Sequence, residues 1–176
     1  MFSKILAITA YAFALVGGAP PSLQAPMADC SLNTHSSAMH GYLEPGNYMI
    51  YNQATGKDRL ATFNPGEPVL VLPGDVPPHF VTWKVRQAEG HRSQYYITNV
   101  GTNSGGNLND DVVTTTPGSG TRLTLTPIED GFRIHAQLKD DDQVWEVCED
   151  DQGLRRVHID PIEEVPGQVW KFVPVY

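Results

Sequence analysis

Cysteine is scarce in this chain of 176 residues, which holds only Cys30 and Cys148. Two cysteines are too few to staple a small domain, so the fold must be stabilised by an apolar core. In an oxidising compartment the two could pair and close a loop of 119 residues, for which chain entropy sets a ceiling of about 4–5 kcal/mol. Two free thiols fit the sequence equally well.

Positive charge is also in short supply. The chain has 12 Lys and Arg against 20 Asp and Glu, a net charge of −8. This is the wrong sign for binding a phosphate backbone, so no nucleic-acid partner is expected. With 40% hydrophobic residues, 16 Gly and 14 Pro, the composition is that of one loop-rich globular domain rather than a fibrous or disordered chain.

Only one long apolar run is present, Ile5–Val16, preceded by Lys4 and followed by Gly17 and Gly18. A charged start, a short apolar run and small residues are typical of a secretory signal peptide, and the run is short for a membrane span. We therefore expect a signal peptide at 1–18 cleaved after Gly18, a secreted protein without a membrane anchor, and an irregular lead-in at 19–44. An uncleaved N-terminal helix is the alternative.

Helical periodicity is missing from Pro45 onward, where short runs of alternating or β-branched residues recur between Gly, Pro, Asn and Asp clusters. This pattern predicts an all-β body. The predicted strands are Asn47–Tyr51, Arg59–Thr62, Pro68–Leu72, Val81–Arg86, Gln94–Asn99, Gly106–Leu108, Asp111–Thr115, Arg122–Thr126, Gly131–Ala136, Gln143–Cys148, Arg156–Ile159 and Gln168–Val173.

A threefold repeat organises these strands. Each unit opens with an aromatic residue two before an Ile, at Tyr48, Tyr95 and Phe132, and closes with large apolar residues two apart, at Trp83, Leu123 and Trp170. Three units of about 42 residues and four strands each predict a β-trefoil over 45–176. Its expected barrel core is Tyr48, Ile50, Trp83, Val85, Ile97, Leu123, Leu125, Ile134, Trp170 and Phe172. An immunoglobulin-like sandwich is the alternative, but its Cys…Trp…Cys pattern is absent.

Several short segments resemble those of mushroom β-trefoil inhibitors of serine proteases, the cospin-type group. They are PGNYMIYNQATG at Pro45–Gly56, LPG at Leu72–Gly74, VTWKV at Val81–Val85, VWEVCEDD at Val144–Asp151 and QVWKFVPV at Gln168–Val175. The resemblance implies a monomeric, catalysis-free binder without a cofactor. It would block a trypsin-like or chymotrypsin-like serine protease with a first-repeat loop between the second and third strands. The apparent signal peptide departs from the usual intracellular placement of that group.

The corresponding segment here is Thr55–Pro68, bracketed by Gly and Pro residues. A substrate-like inhibitor needs an exposed loop that loses little entropy on docking. We expect the contact residues to be Lys57, Asp58, Arg59, Leu60 and Ala61. Arg59 is the first candidate for a specificity pocket with a carboxylate at its base, because a guanidinium can pair with it through two hydrogen bonds. The alternative is that the charged side chains of Lys57 and Arg59 are solvated and bind no partner.

Catalytic and metal-binding patterns are absent from the sequence. Pro117-Gly118-Ser119-Gly120 lacks the spacing of a nucleophile turn, and the six histidines form no close ligand pair. We therefore expect neither an enzyme nor a metal site.

Two other binding functions use the same fold. A ricin-type lectin carries Gln-x-Trp near the end of each repeat, and here only Gln168-Val169-Trp170 stands at that place. Gln143-Val144-Trp145 lies 25 residues earlier, so it must belong to a different strand of the same unit. Inhibition of papain-like cysteine proteases, as in the mycocypin trefoils, is the third possibility.

Overall fold

A computed structural model describes residues 41–109, 111–137 and 142–176. The predicted signal peptide at 1–18, Cys30 and most of the predicted lead-in lie outside these residues. Within them, no helix is long and apolar enough to cross a membrane.

The described residues form twelve strands and two short helical turns. The strands are β1 Gly46–Asn52, β2 Arg59–Ala61, β3 Leu70–Leu72, β4 Thr82–Gln87, β5 Gln94–Asn99, β6 Ser104–Asn109, β7 Val112–Pro117, β8 Leu123–Ile128, β9 Gly131–Gln137, β10 Asp142–Glu149, β11 Arg155–Pro161 and β12 Trp170–Pro174. The turns are α1 Pro78–Val81 and a 3-10 turn at Pro166–Gln168. Every predicted strand is present, within a few residues of its expected ends.

Six of the strands close into an antiparallel barrel in the order β1, β4, β5, β8, β9, β12 and back to β1. The other six form three hairpins, β2–β3, β6–β7 and β10–β11, and β11 also pairs with both β3 and β7. Three repeats of four strands, with a barrel capped by three hairpins, make a β-trefoil. The predicted fold is confirmed.

The barrel core follows the prediction closely. Of the ten expected core residues only Phe172 is not fully buried, and it packs edge-on against Tyr48 and Phe132, with ring centroids 5.9 and 5.5 Å away. Leu43, just before β1, is buried too, and its backbone N–H donates to the Tyr95 hydroxyl (3.1 Å). The chain thus enters the barrel through a packed residue of the predicted lead-in.

One position in the core of the cap recurs in each repeat. Strand register makes Leu60, Gly106 and Trp145 equivalent, because the residue before each pairs with the third position after the opening aromatic. A Cβ on Gly106 would lie 2.9 Å from Cη2 of Trp145, so the indole occupies space that a side chain in the second repeat would need. The indole of the third repeat is therefore accommodated because the second repeat has no side chain at the equivalent position.

Two buried asparagines tie consecutive repeats together. Asn52 and Asn99 end β1 and β5 and are fully buried. Asn52 Nδ2 donates to the Gly167 carbonyl (2.7 Å), and Asn99 Nδ2 donates to the Phe80 carbonyl (2.8 Å). Because those carbonyls lie three residues before Trp170 and Trp83, each asparagine fixes the turn that leads into a closing strand. Sequence reasoning missed both, although the Asn two residues after the opening Ile is the same in the two repeats.

Candidate functional site

The candidate site lies on the outer face of the β10–β11 hairpin, in the third repeat. Glu146 and His158 stand directly opposite each other in the register, and Asp160 follows two residues after His158 on the same face. All three side chains are half-buried, whereas Trp145 between them on the opposite face is in the core. The outer face of the hairpin therefore carries hydrogen-bonding side chains, and its inner face packs in the apolar core.

Gln168, which opens the Gln-x-Trp segment, holds Glu146 in place. Its Nε2 donates to Glu146 Oε2 (2.7 Å) and to the Pro161 carbonyl (2.8 Å), and its Oε1 accepts from the backbone N–H of Glu163 (2.8 Å). Gln168 is fully buried. A buried amide with three hydrogen bonds is rigid, so the carboxylate is oriented before any ligand arrives.

Gly167 packs directly against that carboxylate. A Cβ at this position would lie 3.3 Å from Cγ and 3.4 Å from Oε1 of Glu146, closer than most Cβ contacts. Gly167 is itself buried, so the absence of a side chain there is what lets the turn before β12 lie against Glu146.

Asp160 has a thiol beside it. Cys148 Sγ lies 3.8 Å from Asp160 Oδ2, within reach of a weak S–H hydrogen bond. Burial, reinforced by the Asp160 and Glu146 carboxylates, raises the pKa of Cys148 to about 11. Cys148 has no disulfide partner among the described residues, and its predicted partner Cys30 lies outside them, so the disulfide stays a prediction.

The second repeat contains a neutral version of the same arrangement. Asn107 is equivalent to Glu146, because each follows the cap-core position by one residue, and Thr121 is equivalent to Gln168, because each lies two residues before the closing Leu123 or Trp170. Thr121 Oγ1 donates to Asn107 Oδ1 (3.1 Å). The polar pair thus occurs twice.

In the first repeat the same two positions hold Ala61 and Val81, both fully buried. Phe80 stands where Gly167 stands in the third repeat, and its ring packs 5.1 Å from that of Phe63. Apolar side chains therefore stand where the third repeat has Glu146, Gly167 and Gln168. Only the second and third repeats present hydrogen-bonding groups there.

The predicted protease-binding segment is not one exposed loop. Leu60 and Ala61 form most of β2 and are fully buried, since Leu60 is the first-repeat residue of the cap core and its carbonyl accepts from Trp83 Nε1 (2.8 Å). The expectation that these two side chains are exposed is wrong. The loop between β2 and β3 runs instead over 62–69.

The charged residues of that segment differ from one another. Asp58 is buried and forms an ion pair with Arg155 of β11. The Arg59 guanidinium donates to the Gly74 carbonyl, so Arg59 is bound to the protein's own backbone. Lys57, in the turn between β1 and β2, is exposed. Lys57 is thus the one member of the predicted set that is free to reach a partner.

Solved structures resemble this chain in fold. The Rhizoctonia solani agglutinin matches with a TM-score of 0.62 and 20% identity, over 76% of this chain and 97% of that one. The designed threefold-symmetric protein ThreeFoil matches at 0.61 and 14%, over 74% and 99%. The Polyporus squamosus lectin, solved with Neu5Acα2-6Galβ1-4GlcNAc bound, matches at 0.60 and 18%, over 74% and 49%.

No protein-family model and no curated protein matches the sequence. At these identities the structural matches speak for the fold alone: the chain is a β-trefoil.

Proposed function

We propose that this protein binds carbohydrate without catalysing a reaction, through the third-repeat site formed by Glu146, His158, Asp160 and Gln168. The observation that carries the proposal is the buried Gln168 amide that fixes the Glu146 carboxylate. A fixed carboxylate accepts hydrogen bonds from two neighbouring hydroxyl groups, which is what a sugar ring offers. Proteins of similar fold, among them an agglutinin and a lectin solved with a bound glycan, support this choice.

The charge of the site selects among sugars. Glu146 and Asp160 are acidic, and the nearby Arg155 and Arg156 are engaged by Asp58, Glu149 and Asp150. A ligand carboxylate here would meet like charge, and the arginines nearby in the described part of the chain are already paired, so anionic sugars are selected against. The site therefore favours neutral sugars over sialylated ones.

Titration calorimetry with a panel of neutral and sialylated oligosaccharides tests the proposal. For the best neutral sugar, Glu146→Gln should weaken binding about tenfold, because a charge-assisted hydrogen bond becomes a neutral one. Glu129→Gln, which removes an exposed carboxylate from the β8–β9 turn, is the matched control and should leave the affinity unchanged. Absence of binding to the whole panel, or equal loss in both variants, would reject the site.

Inhibition of a serine protease is the second candidate function, and the exposed Lys57 favours it. Asp58, the next residue, is anchored through Arg155, so the turn that carries Lys57 is held to the third repeat. In a trypsin inhibition assay Lys57→Ala should abolish inhibition, whereas Arg59→Ala should change it little, since the Arg59 guanidinium is already bound to Gly74. Undiminished inhibition by the Lys57 variant would exclude this turn.

A further inference from the structure

The outer wall of the barrel differs in charge from the rest of the chain. Within their described bounds, the six barrel strands hold four basic residues and no Asp or Glu, in a chain of net charge −8. The basic residues are Lys84, Arg86, Arg133 and Lys171. Lys84 and Arg86 lie two residues apart on the same face of β4, so positive charge is concentrated in that part of the wall.

Tyr96 is the centre of this region. It stands opposite Arg86 in the β4–β5 register, and the Arg86 guanidinium carbon lies 5.9 Å from the centre of its ring. Arg122 comes from the other side: it precedes Leu123, which pairs with Tyr95. Because Tyr95 and Leu123 are buried, Tyr96 and Arg122 face outward. We call Lys84, Arg86, Arg122 and Tyr96 the basic patch.

The cations of the basic patch are not neutralised by neighbours. Lys84, Arg86 and Arg122 are all exposed, and the ion pairs found among the described residues use only Arg155 and Arg156. Arg86 is nevertheless oriented, since it donates to Ser119 Oγ as well as lying over Tyr96. The patch combines the oriented guanidinium of Arg86 with two further exposed cations and an aromatic ring.

We propose that the basic patch binds the sulfate or carboxylate groups of an anionic polysaccharide. Guanidinium groups bind such planar or tetrahedral oxyanions through paired hydrogen bonds, and the half-buried ring of Tyr96 offers an apolar face to the sugar between two charged groups. This surface is separate from the third-repeat site, because it lies on β4, β5 and the start of β8.

The spacing and chemistry of the patch favour a polysaccharide over other polyanions. Three cations spread over three neighbouring strands, around one aromatic ring, suit a charged sugar chain better than duplex DNA, whose dense phosphates call for many contacts. Among the described residues the exposed large apolar side chains are Tyr42, Val100, Val173 and Tyr176, none of them in the patch. Nothing in the patch is therefore built to enter a bilayer.

Calorimetric titration of the full chain with dextran sulfate at low salt tests the proposal. A parallel titration with neutral dextran measures any binding of uncharged sugar at the third-repeat site, which is subtracted. Arg122→Gln and Arg86→Gln should each weaken binding about fivefold, and added salt should weaken it steeply. Lys171→Gln removes an equally exposed barrel cation from β12 and should change the affinity by less than about twofold. Glu129→Gln removes an exposed carboxylate that belongs to neither surface and should leave the affinity unchanged.

Three results would overturn the proposal. They are no binding to dextran sulfate, the same loss in Lys171→Gln as in Arg122→Gln, and tighter binding to anionic phospholipid vesicles or duplex DNA than to dextran sulfate. Thermal melting of each variant confirms that it is folded before its affinity is compared.

Discussion

Gln168 and Glu146 are joined by a hydrogen bond of 2.7 Å between Nε2 and Oε2, and the equivalent Thr121 and Asn107 by one of 3.1 Å. The same contact in two repeats shows that the backbone brings these two positions together in each of them. The identity of the side chains at the two positions differs between repeats. In the third repeat it is acidic, in the second neutral, and in the first it is filled by apolar residues. This variation is why one repeat alone is proposed as the carbohydrate site.

The cap core gives the first prediction, on stability. Gly106→Ala would place a Cβ 2.9 Å from Trp145, and such overpacking should lower the free energy of unfolding by about 1–3 kcal/mol in urea denaturation. Gly74→Ala is the control, because nothing lies within 4 Å of a Cβ there. In a Trp145→Leu background the Gly106→Ala cost should shrink. An equal cost in both backgrounds would show that the two positions do not share volume.

A second prediction concerns the ion pair between the first and third repeats. Arg155→Gln should lower the free energy of unfolding by about 1 kcal/mol, since Asp58 has only 12% of its side chain exposed and loses its partner there. The double variant Asp58→Asn/Arg155→Gln should cost less than the two single changes together. Strict additivity in the double-mutant cycle would mean that the pair contributes nothing of its own.

Alkylation of Cys148 is the third prediction. The pKa of this thiol is raised to about 11 by burial and by the Asp160 and Glu146 carboxylates. A raised pKa keeps the thiol protonated at neutral pH, so its reaction with iodoacetamide should be about one hundredfold slower at pH 7 than that of an ordinary cysteine, and should rise up to about pH 11.

Asp160→Asn is the informative variant for that thiol. It removes a negative charge and replaces a charged acceptor by a neutral amide, so the pKa of Cys148 should fall and alkylation at pH 8 should accelerate. A rate that ignores the substitution would contradict the assigned cause. Protection that disappears only after a reducing agent is added would instead establish the disulfide with Cys30.

The fold could be predicted because the barrel repeats its chemistry. An aromatic residue two before an Ile and large apolar residues in each closing strand are visible at Tyr48, Tyr95 and Phe132 and at Trp83, Leu123 and Trp170. All but Phe172 of the expected core is buried, and Phe172 lies beside Tyr48 and Phe132 rather than beneath them. The spacing predicts that Gln143-Val144-Trp145 lies on a different strand from the closing one, and this is correct, since Trp145 lies on β10.

The site could be predicted only in part, because the cap does not repeat its chemistry. Leu60, Gly106 and Trp145 share one role with three unlike residues. A strand is predicted at Arg59–Thr62, but no repeated pattern marks Leu60 and Ala61 as buried, and the family resemblance places them in an exposed segment. Gln168 stands in the Gln-x-Trp segment that marks the lectin alternative, but that spacing alone assigns it no contact with a ligand. Its partner Glu146 was not predicted, because a single acid 22 residues earlier becomes significant only once the hairpin register is known.

The most direct test of the central claim is a ¹⁵N NMR titration with the neutral oligosaccharide that binds best. We predict that the side-chain amide resonances of Gln168 shift, together with the backbone signals of Glu146, His158 and Gly167. Shifts confined to the barrel wall or to the turn around Lys57, with the Gln168 amide unmoved at saturation, would contradict it.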